Sequence, residues 1–361
     1  MTLSAVAFVP YPAAGASARY RVYQLTAELA RLGVRLEVRP FFDERAFAML
    51  YRPGGALPKA WHLLRGAAVR WGELAAARRF DVALVHRELW PLAGTAALER
   101  LVRQQPRWVY DFDDAVWLPN VSAANRRFAM LKGHGQHAIL ASLASAISAG
   151  IAWLAAWARE LRPGLATDSV AMVPTPVDTV RWSPRPRAAG PPRLVWIGSH
   201  STAHYLEPLR ATLAMLSARH PGLELHVIGG RFAAPGVRVI EHEWSLEHET
   251  DWAAQCDIGL APLPDDAWSR GKCGLKLLLY MALGLPAVAS PVGVHSEMVR
   301  DGVNGRLADD PEAFGVALDQ LLRDPDQRRQ LGAQARLDVE REYSIAAVAP
   351  GLAALLTRAA S

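Results

Sequence analysis

Three short stretches carry residues whose type and spacing invite chemistry. Gly198–Thr202 (GSHST) follows an apolar run and opens a helical pattern. Glycine permits a tight turn, and the free N–H groups of a helix start attract phosphate. Ser199, Ser201 and Thr202 add hydroxyl donors, although an ordinary capped helix start has the same composition. The second stretch is SRGKCGLKLLLYMALGLP, in which Gly271 and Gly274 flank Lys272, and Leu275 and Lys276 begin a helix. Arg270, Lys272 and Lys276 put cations beside a helix N-terminus. There they oppose the macrodipole, so the pattern asks for an anion such as a diphosphate. The third stretch is DFDD. Asp111 and Asp113 have the Asp-x-Asp spacing that holds a divalent ion. The same residues also read as Asp111 capping a loop, with Asp113 or Asp114 orienting or deprotonating a hydroxyl. His86, followed by Arg87 and Glu88, ends an apolar run; a strand-end histidine serves structure as readily as chemistry.

These residues need elements that hold them. Ser4–Pro10 is a strand ending in the small-residue loop PYPAAGASA. A helical pattern from Arg19 to Leu32 stops at Gly33, and Val34–Val38 alternates as a strand, giving a doubly wound start. Residues 44–79 are rich in Arg, Ala and Trp. They read either as a basic amphipathic surface helix or as an ordinary helix packed on the sheet, and we favour the second. Strands follow at Val82–Val85, Trp108–Tyr110 and Ser169–Val173. The segment 183–192 (SPRPRAAGPP) is a linker. Beyond it, strands at Arg193–Ile197, Leu223–Ile228 (ending in Gly229–Gly230), Ile258–Leu260 and GLPAVAS alternate with helices. This sets domains at 1–182 and 193–345, with 346–361 as a C-terminal helix returning to the first domain.

Composition narrows the classes. Half of the 361 residues are apolar, which is globular composition. Two cysteines, Cys256 and Cys273, make no disulfide framework, so a reducing, cytoplasmic setting is expected. The opening AVAFVP run has neither a basic lead nor a cleavage site, so no secretory signal is expected. Ala138–Ala158 is free of charge and long enough to mimic a membrane span. It is built of Ala and Ser, however, and reads as helix, short strand, helix. Through Trp182 there are 22 Lys and Arg against 14 Asp and Glu, and beyond it 18 against 21. A basic first half suits an anionic partner (lipid headgroups, a lipid-linked phosphate or nucleic acid) or is simply an arginine-rich surface.

The segments PVGVHSEMVRDGVNGRLADDPEAF, YMALGLPAVAS, VPTPVDTVRWSP and DPDQRRQLGAQARLDVEREYS resemble the signatures of family 4 (group 1) glycosyltransferases of the GT-B fold. The resemblance is strong from about Val173 to Tyr343 and weaker before it. It implies an α/β protein of two Rossmann-like domains with a central cleft. A nucleotide-sugar would lie on the second domain and a glycan or lipid-linked acceptor on the first. It implies a retaining transfer with no divalent metal or other cofactor, no nucleic-acid partner, and a place in cell-surface polysaccharide biosynthesis. With the basic first half, a peripheral position on an anionic inner membrane face is also expected. By position, Gly229, Gly230, Trp244 and Leu279 fall at the base and ribose. Gly198, Ser199, Ser201, Thr202, Arg270, Lys272, Gly274, Leu275 and Lys276 fall at the diphosphate. Gly15, Arg19, Arg21 and Asp114 fall on the acceptor side, and Asp113, Lys276 and His86 are the catalytic candidates.

The departures are informative. Two glutamates usual in the family are replaced by Gly271 and Leu279, and GSHST stands where the family has Arg and Lys. Lys276 would supply the missing cation and Asp265 or Asp266 the missing carboxylate, while Glu297 remains. The losses leave two alternatives to an active transferase: a non-catalytic nucleotide-sugar-binding scaffold, and a GT-B sugar-nucleotide epimerase.

Overall fold

Strands β1 (Leu3–Val9), β2 (Val34–Pro40), β3 (Val82–His86), β4 (Trp108–Phe112), β5 (Ala146–Ala149) and β6 (Val170–Met172) pair in parallel in the order β2-β1-β3-β4-β5-β6. Strands β7 (Arg193–Ile197), β8 (Glu224–Ile228), β9 (Arg238–His242), β10 (Ile258–Ala261), β11 (Ala287–Ala289) and β12 (Arg306–Leu307) form a second parallel sheet, ordered β12-β11-β10-β7-β8-β9. The inner strands of both sheets are buried along most of their length, because helices cover both faces of such sheets. The computed structural model describes residues 2–50, 54–91, 95–118, 136–164, 166–187 and 190–361. Ala188 and Ala189 of the expected linker therefore lie outside the described residues.

The chain divides into two compact units, Met1–Pro176 with Ile345–Ser361, and Val177–Ser344. In the first, the terminal helix Ile345–Ala360 buries Val348, Leu352, Leu355 and Leu356 against Ala5, Val9, Leu84 and Val109. In the second, Val177 pairs with Ser344. Arg336 there donates to the carbonyls of Thr179 and Trp182 at 2.8 and 2.6 Å. The helices Pro311–Arg323 and Pro325–Glu342 each begin with an Asp–Pro pair, the aspartate capping the first turn and the proline filling a position that needs no donor.

The uncharged stretch after Ala138 folds as expected into helix (Gln136–Leu143), strand β5 and helix (Ala152–Leu161). Among the described residues no helix is long and apolar enough to cross a membrane. The single helix expected over Arg19–Leu32 is instead broken: Ala16–Arg21 and Thr26–Arg31 are joined by a tighter turn at Tyr23–Leu25. Arg21 turns into the core, and the Gln24 side chain donates to the Tyr20 carbonyl at 2.9 Å in place of the regular helix bond. Sequence reading missed β9 and β12, whose residues are half exposed and lack an apolar run.

Candidate functional site

In open parallel sheets, ligands gather where neighbouring strands send their connections to opposite faces. In the second unit that point lies between β7 and β10. The loop after β7 is Gly198–Thr202, and the loop after β10 leads through Arg270 to Gly274 and the helix Leu275–Ala282. The strand order thus brings the two expected phosphate stretches to one place. Tyr280 ties them together. Its hydroxyl accepts from Ile197 N at 2.9 Å and donates to Leu260 O at 3.2 Å. Gly259 makes room for the ring, since a Cβ there would come within 2.3 Å of it.

Trp196 is the floor. Its ring is fully buried and lies so close beneath Gly198 and Gly230 that a Cβ on either would come within 2.3 and 2.8 Å. Lys276 Nζ stands 4.2 Å from the Trp196 ring centroid, and Lys272 Nζ 5.3 Å from that of Trp268. Both ammonium groups lie 5.9 Å from the Tyr205 ring. Aromatic faces attract cations, but they replace only part of the lost water. Burial, with the charge of Lys272, pushes Lys276 down to about 7. The same burial, with both lysines nearby, pushes the imidazole of His295 down to about 4. No side chain caps the helix that starts at Leu275, and Gly274 adopts a positive φ of 67° at its threshold. The Trp196 Nε1 donor is buried with no hydrogen-bond partner among the described residues. The region therefore has concentrated positive charge, uncapped N–H groups and an unsatisfied donor.

Other expected donor residues are placed as follows. Ser199 Oγ lies 2.8 Å from Ser201 Oγ, and Ser199 N donates to Thr202 Oγ1 at 3.2 Å. Arg270 is exposed and bonded to Asp265 at 2.6 and 2.9 Å. Asp266 caps its short helix by accepting from Ser269 N at 2.7 Å. Both aspartates thus have local partners. Leu279 is buried in its helix, whereas Glu297 is exposed. Trp244 is partly exposed, donates to Glu249 at 2.7 Å and lies beside Gly229. Gly229 has φ of 80°, and a Cβ there would fall 2.3 Å from the Gly198 carbonyl. Gly229→Ala therefore combines backbone strain with a clash and costs about 2 kcal/mol or more; calorimetric melting checks this.

In the first unit the corresponding switch lies between β1 and β3. The loop after β1 delivers Gly15 and Ser17, β3 ends in His86, and β4 carries Asp111, with Asp113 just beyond. Gly15 is required by a close approach, since a Cβ would come within 2.6 Å of Tyr11 Cβ. Ser17 Oγ lies 2.6 Å from His86 Nε2 and donates toward both Asp113 oxygens at 3.0 and 3.1 Å. His86 Nδ1 lies 2.7 Å from Asp111 Oδ2. Asp111 also accepts from Ser148 Oγ at 2.5 Å and pairs with the buried Arg21. Arg21 in turn donates to Val173 O at 2.6 Å. Arg87 pairs with Asp113 at 2.9 Å and with Asp114, and its φ of 58° is the one positive value at a non-glycine among the described residues. Arg19 is buried with its guanidinium 4.9 Å from the Tyr20 ring.

Burial alone would raise the carboxyls of Asp111 and Asp113. The charge of Arg21 and the hydrogen bond to His86 on Asp111, and the charge of Arg87 on Asp113, override it and hold both below the ordinary range. Asp111 is thus an interior strand residue rather than a loop cap. Ser17 and Ser148 were not foreseen, because isolated serines carry no sequence signal. Among the described residues no cluster of three His, Cys, Asp or Glu side chains is placed to hold a metal.

Two parallel six-stranded sheets of this topology, one in each unit, are the architecture of the GT-B fold. Residues 191–324, within the second unit, match the family model described as Glycosyl transferases group 1. No curated protein matches the sequence. Among solved structures, the chain is similar to sucrose-phosphate synthase from Thermosynechococcus elongatus (17% identity, 98% of each chain, TM-score 0.71). It is also similar to Anabaena Alr3699/HepE in complex with UDP-glucose (14% identity, 98% of this chain and 99% of that one, TM-score 0.66). A third is the lipopolysaccharide outer core galactosyltransferase WaaB in its apo form (13% identity, 99% of each chain, TM-score 0.60). At such identities the likeness is one of fold.

Proposed function

We propose that this protein transfers a hexose from a nucleotide-sugar to a hydroxyl on a glycan or lipid-linked acceptor. The observation that carries this reading is the convergence of Gly198 and Lys276 on Trp196, with Lys272 and Lys276 sharing the Tyr205 ring, at the switch point of the unit that matches the group 1 glycosyltransferase model. A diphosphate there would relieve two crowded lysines and meet the uncapped N–H groups. As the glycosidic bond breaks, charge grows on the departing diphosphate, and fixed cations and donors stabilise that charge. UDP-sugars are the first donors to try, because the Anabaena structure holds UDP-glucose.

The first unit supplies the acid–base cluster. In this reading Asp113 takes the proton of the acceptor hydroxyl, and the chain through Ser17 and His86 to Asp111 shares the charge change. We also read the transfer as retaining and metal-independent. Asp111 and Asp113 are both committed to arginines, and Lys272 with Lys276 brings the positive charge that a metal would otherwise supply. The two cysteines are buried and unbridged, which supports a cytoplasmic setting.

Hydrolysis and transfer with a panel of nucleotide-sugars test this reading, and release of nucleoside diphosphate from one donor is the expected result. Asp113→Asn then lowers kcat by about two to four orders of magnitude with little change in donor affinity. A full-rate Asp113→Asn enzyme would remove Asp113 from the mechanism. Gly271 and Leu279, where the resembled family has carboxylates, favour one second reading: a protein that binds the donor without using it. Binding without turnover across the panel would support it.

A further inference from the structure

The helix Ala56–Ala76 touches its unit through one face. On that face Gly66 allows close approach, since a Cβ would sit 2.8 Å from the Phe41 carbonyl. Arg70 is wholly buried there and donates to the carbonyls of Arg39, Leu89 and Val9 at 2.7, 3.0 and 3.2 Å. The opposite face is turned to solvent, and it is apolar. Leu57, Trp61, Leu64, Ala68 and Trp71 recur at steps of four and three residues and form one stripe. Leu57, Trp61 and Leu64 are 86%, 65% and 64% exposed.

An ordinary surface helix shows its charges to water and hides its apolar stripe. This helix does the reverse. Arg70 and Glu73 are tied inward to each other at 3.0 Å, Lys59 is half buried, and Arg65, the one charged residue among the exposed positions of the helix, pairs with Asp43 at 2.6 Å. A contiguous exposed stripe of this kind marks a surface for a partner.

Charge selects the partner. The first unit holds 22 Lys and Arg against 13 Asp and Glu. Arg100 stacks 4.4 Å from the Trp71 ring and donates to the Trp71 carbonyl at 3.1 Å, which sets a second cation at the edge of the stripe. A second copy of the chain would bring like charge to like charge. An anionic bilayer answers both features, taking the apolar stripe among its acyl chains and the guanidinium groups among its phosphates. Tryptophan suits the boundary between the two. We infer that Ala56–Ala76 lies in the surface of an anionic bilayer, with Leu57, Trp61 and Leu64 inserted, Arg100 at the headgroups and Arg65 exchanging its Asp43 partner for a lipid phosphate. The inference does not depend on the transfer reaction, although a lipid-linked acceptor would give it a purpose.

The test is cosedimentation of the whole chain with phosphatidylcholine vesicles, with and without phosphatidylglycerol, alongside quenching of tryptophan by brominated acyl chains. Binding and quenching are expected with phosphatidylglycerol and are weakened by salt. Trp61→Ser with Leu64→Ser lowers the partition coefficient by roughly tenfold per side chain. Arg65→Glu with Arg100→Glu removes the preference for phosphatidylglycerol. Both variants still unfold cooperatively and bind whichever nucleotide-sugar the wild type binds, so failure here is distinct from failure of the transferase reading. Absence of vesicle binding, or binding untouched by Trp61→Ser with Leu64→Ser, overturns the inference. So does a dimer in ultracentrifugation that the same pair dissolves while vesicle binding is absent; that result assigns the stripe to a second copy.

Discussion

Lys276→Met lowers turnover by about two to three orders of magnitude, the range found when one preorganised donor to a developing anion is lost. Its thermal midpoint stays equal to that of the wild type or rises. Lys276 stands over Trp196 with Lys272 nearby, and burial lowers it to about 7, so its charge costs the empty protein something. Methionine keeps the stem and removes that cost. A structural lysine would show the opposite pattern, with lower stability and unchanged turnover. The pH dependence follows with a definite sign. Below about pH 7 the ammonium is already charged in the free site. Above it, binding a diphosphate must take up a proton, because the bound anion raises the lysine's pKa. Affinity for a nucleotide-sugar donor therefore falls as pH rises beyond this point, and the fall ends at the higher pKa of the bound state. The Lys276→Met variant lacks this dependence. Calorimetric titration across neutral pH reads both.

The second large effect is on stability. Asp111→Ala leaves Arg21 buried without its carboxylate and removes partners from His86 and Ser148. Stranding a buried charge costs about 3–5 kcal/mol, which lowers the melting temperature by roughly 10 °C in a domain of this size. Folding lowers the Asp111 pKa, so the pair's contribution is complete above about pH 4, the ordinary aspartate value. It is lost as pH falls toward the lower folded value. The gap between wild type and variant therefore narrows in acid. A gap that is absent at neutral pH, or that widens in acid, would contradict the assigned ion pair.

Much of the fold was legible because parallel strands buried on both faces write themselves as short apolar runs. Val82–Val85, Trp108–Tyr110 and Arg193–Ile197 all fall inside or on strands of the structure. β9 was not legible, because its half-exposed residues carry no such run. The break after Arg21 was not legible either. There Arg21 turns inward to bond Asp111, a residue 90 positions away. The same reason explains what sequence could and could not say about chemistry. The glycines and lysines of the second unit lie close along the chain and follow strands, so their meeting could be anticipated. Ser17, His86, Asp111 and Ser148 come from four separated segments, and topology alone brings them together.

Hydrogen exchange on the whole chain, with and without UDP-glucose or another donor found by the panel, tests the central claim directly. Protection is expected at 198–202 and 271–278, weakened in Lys276→Met. A donor that is turned over while these segments exchange unchanged, or a panel in which no nucleotide-sugar binds, would contradict it.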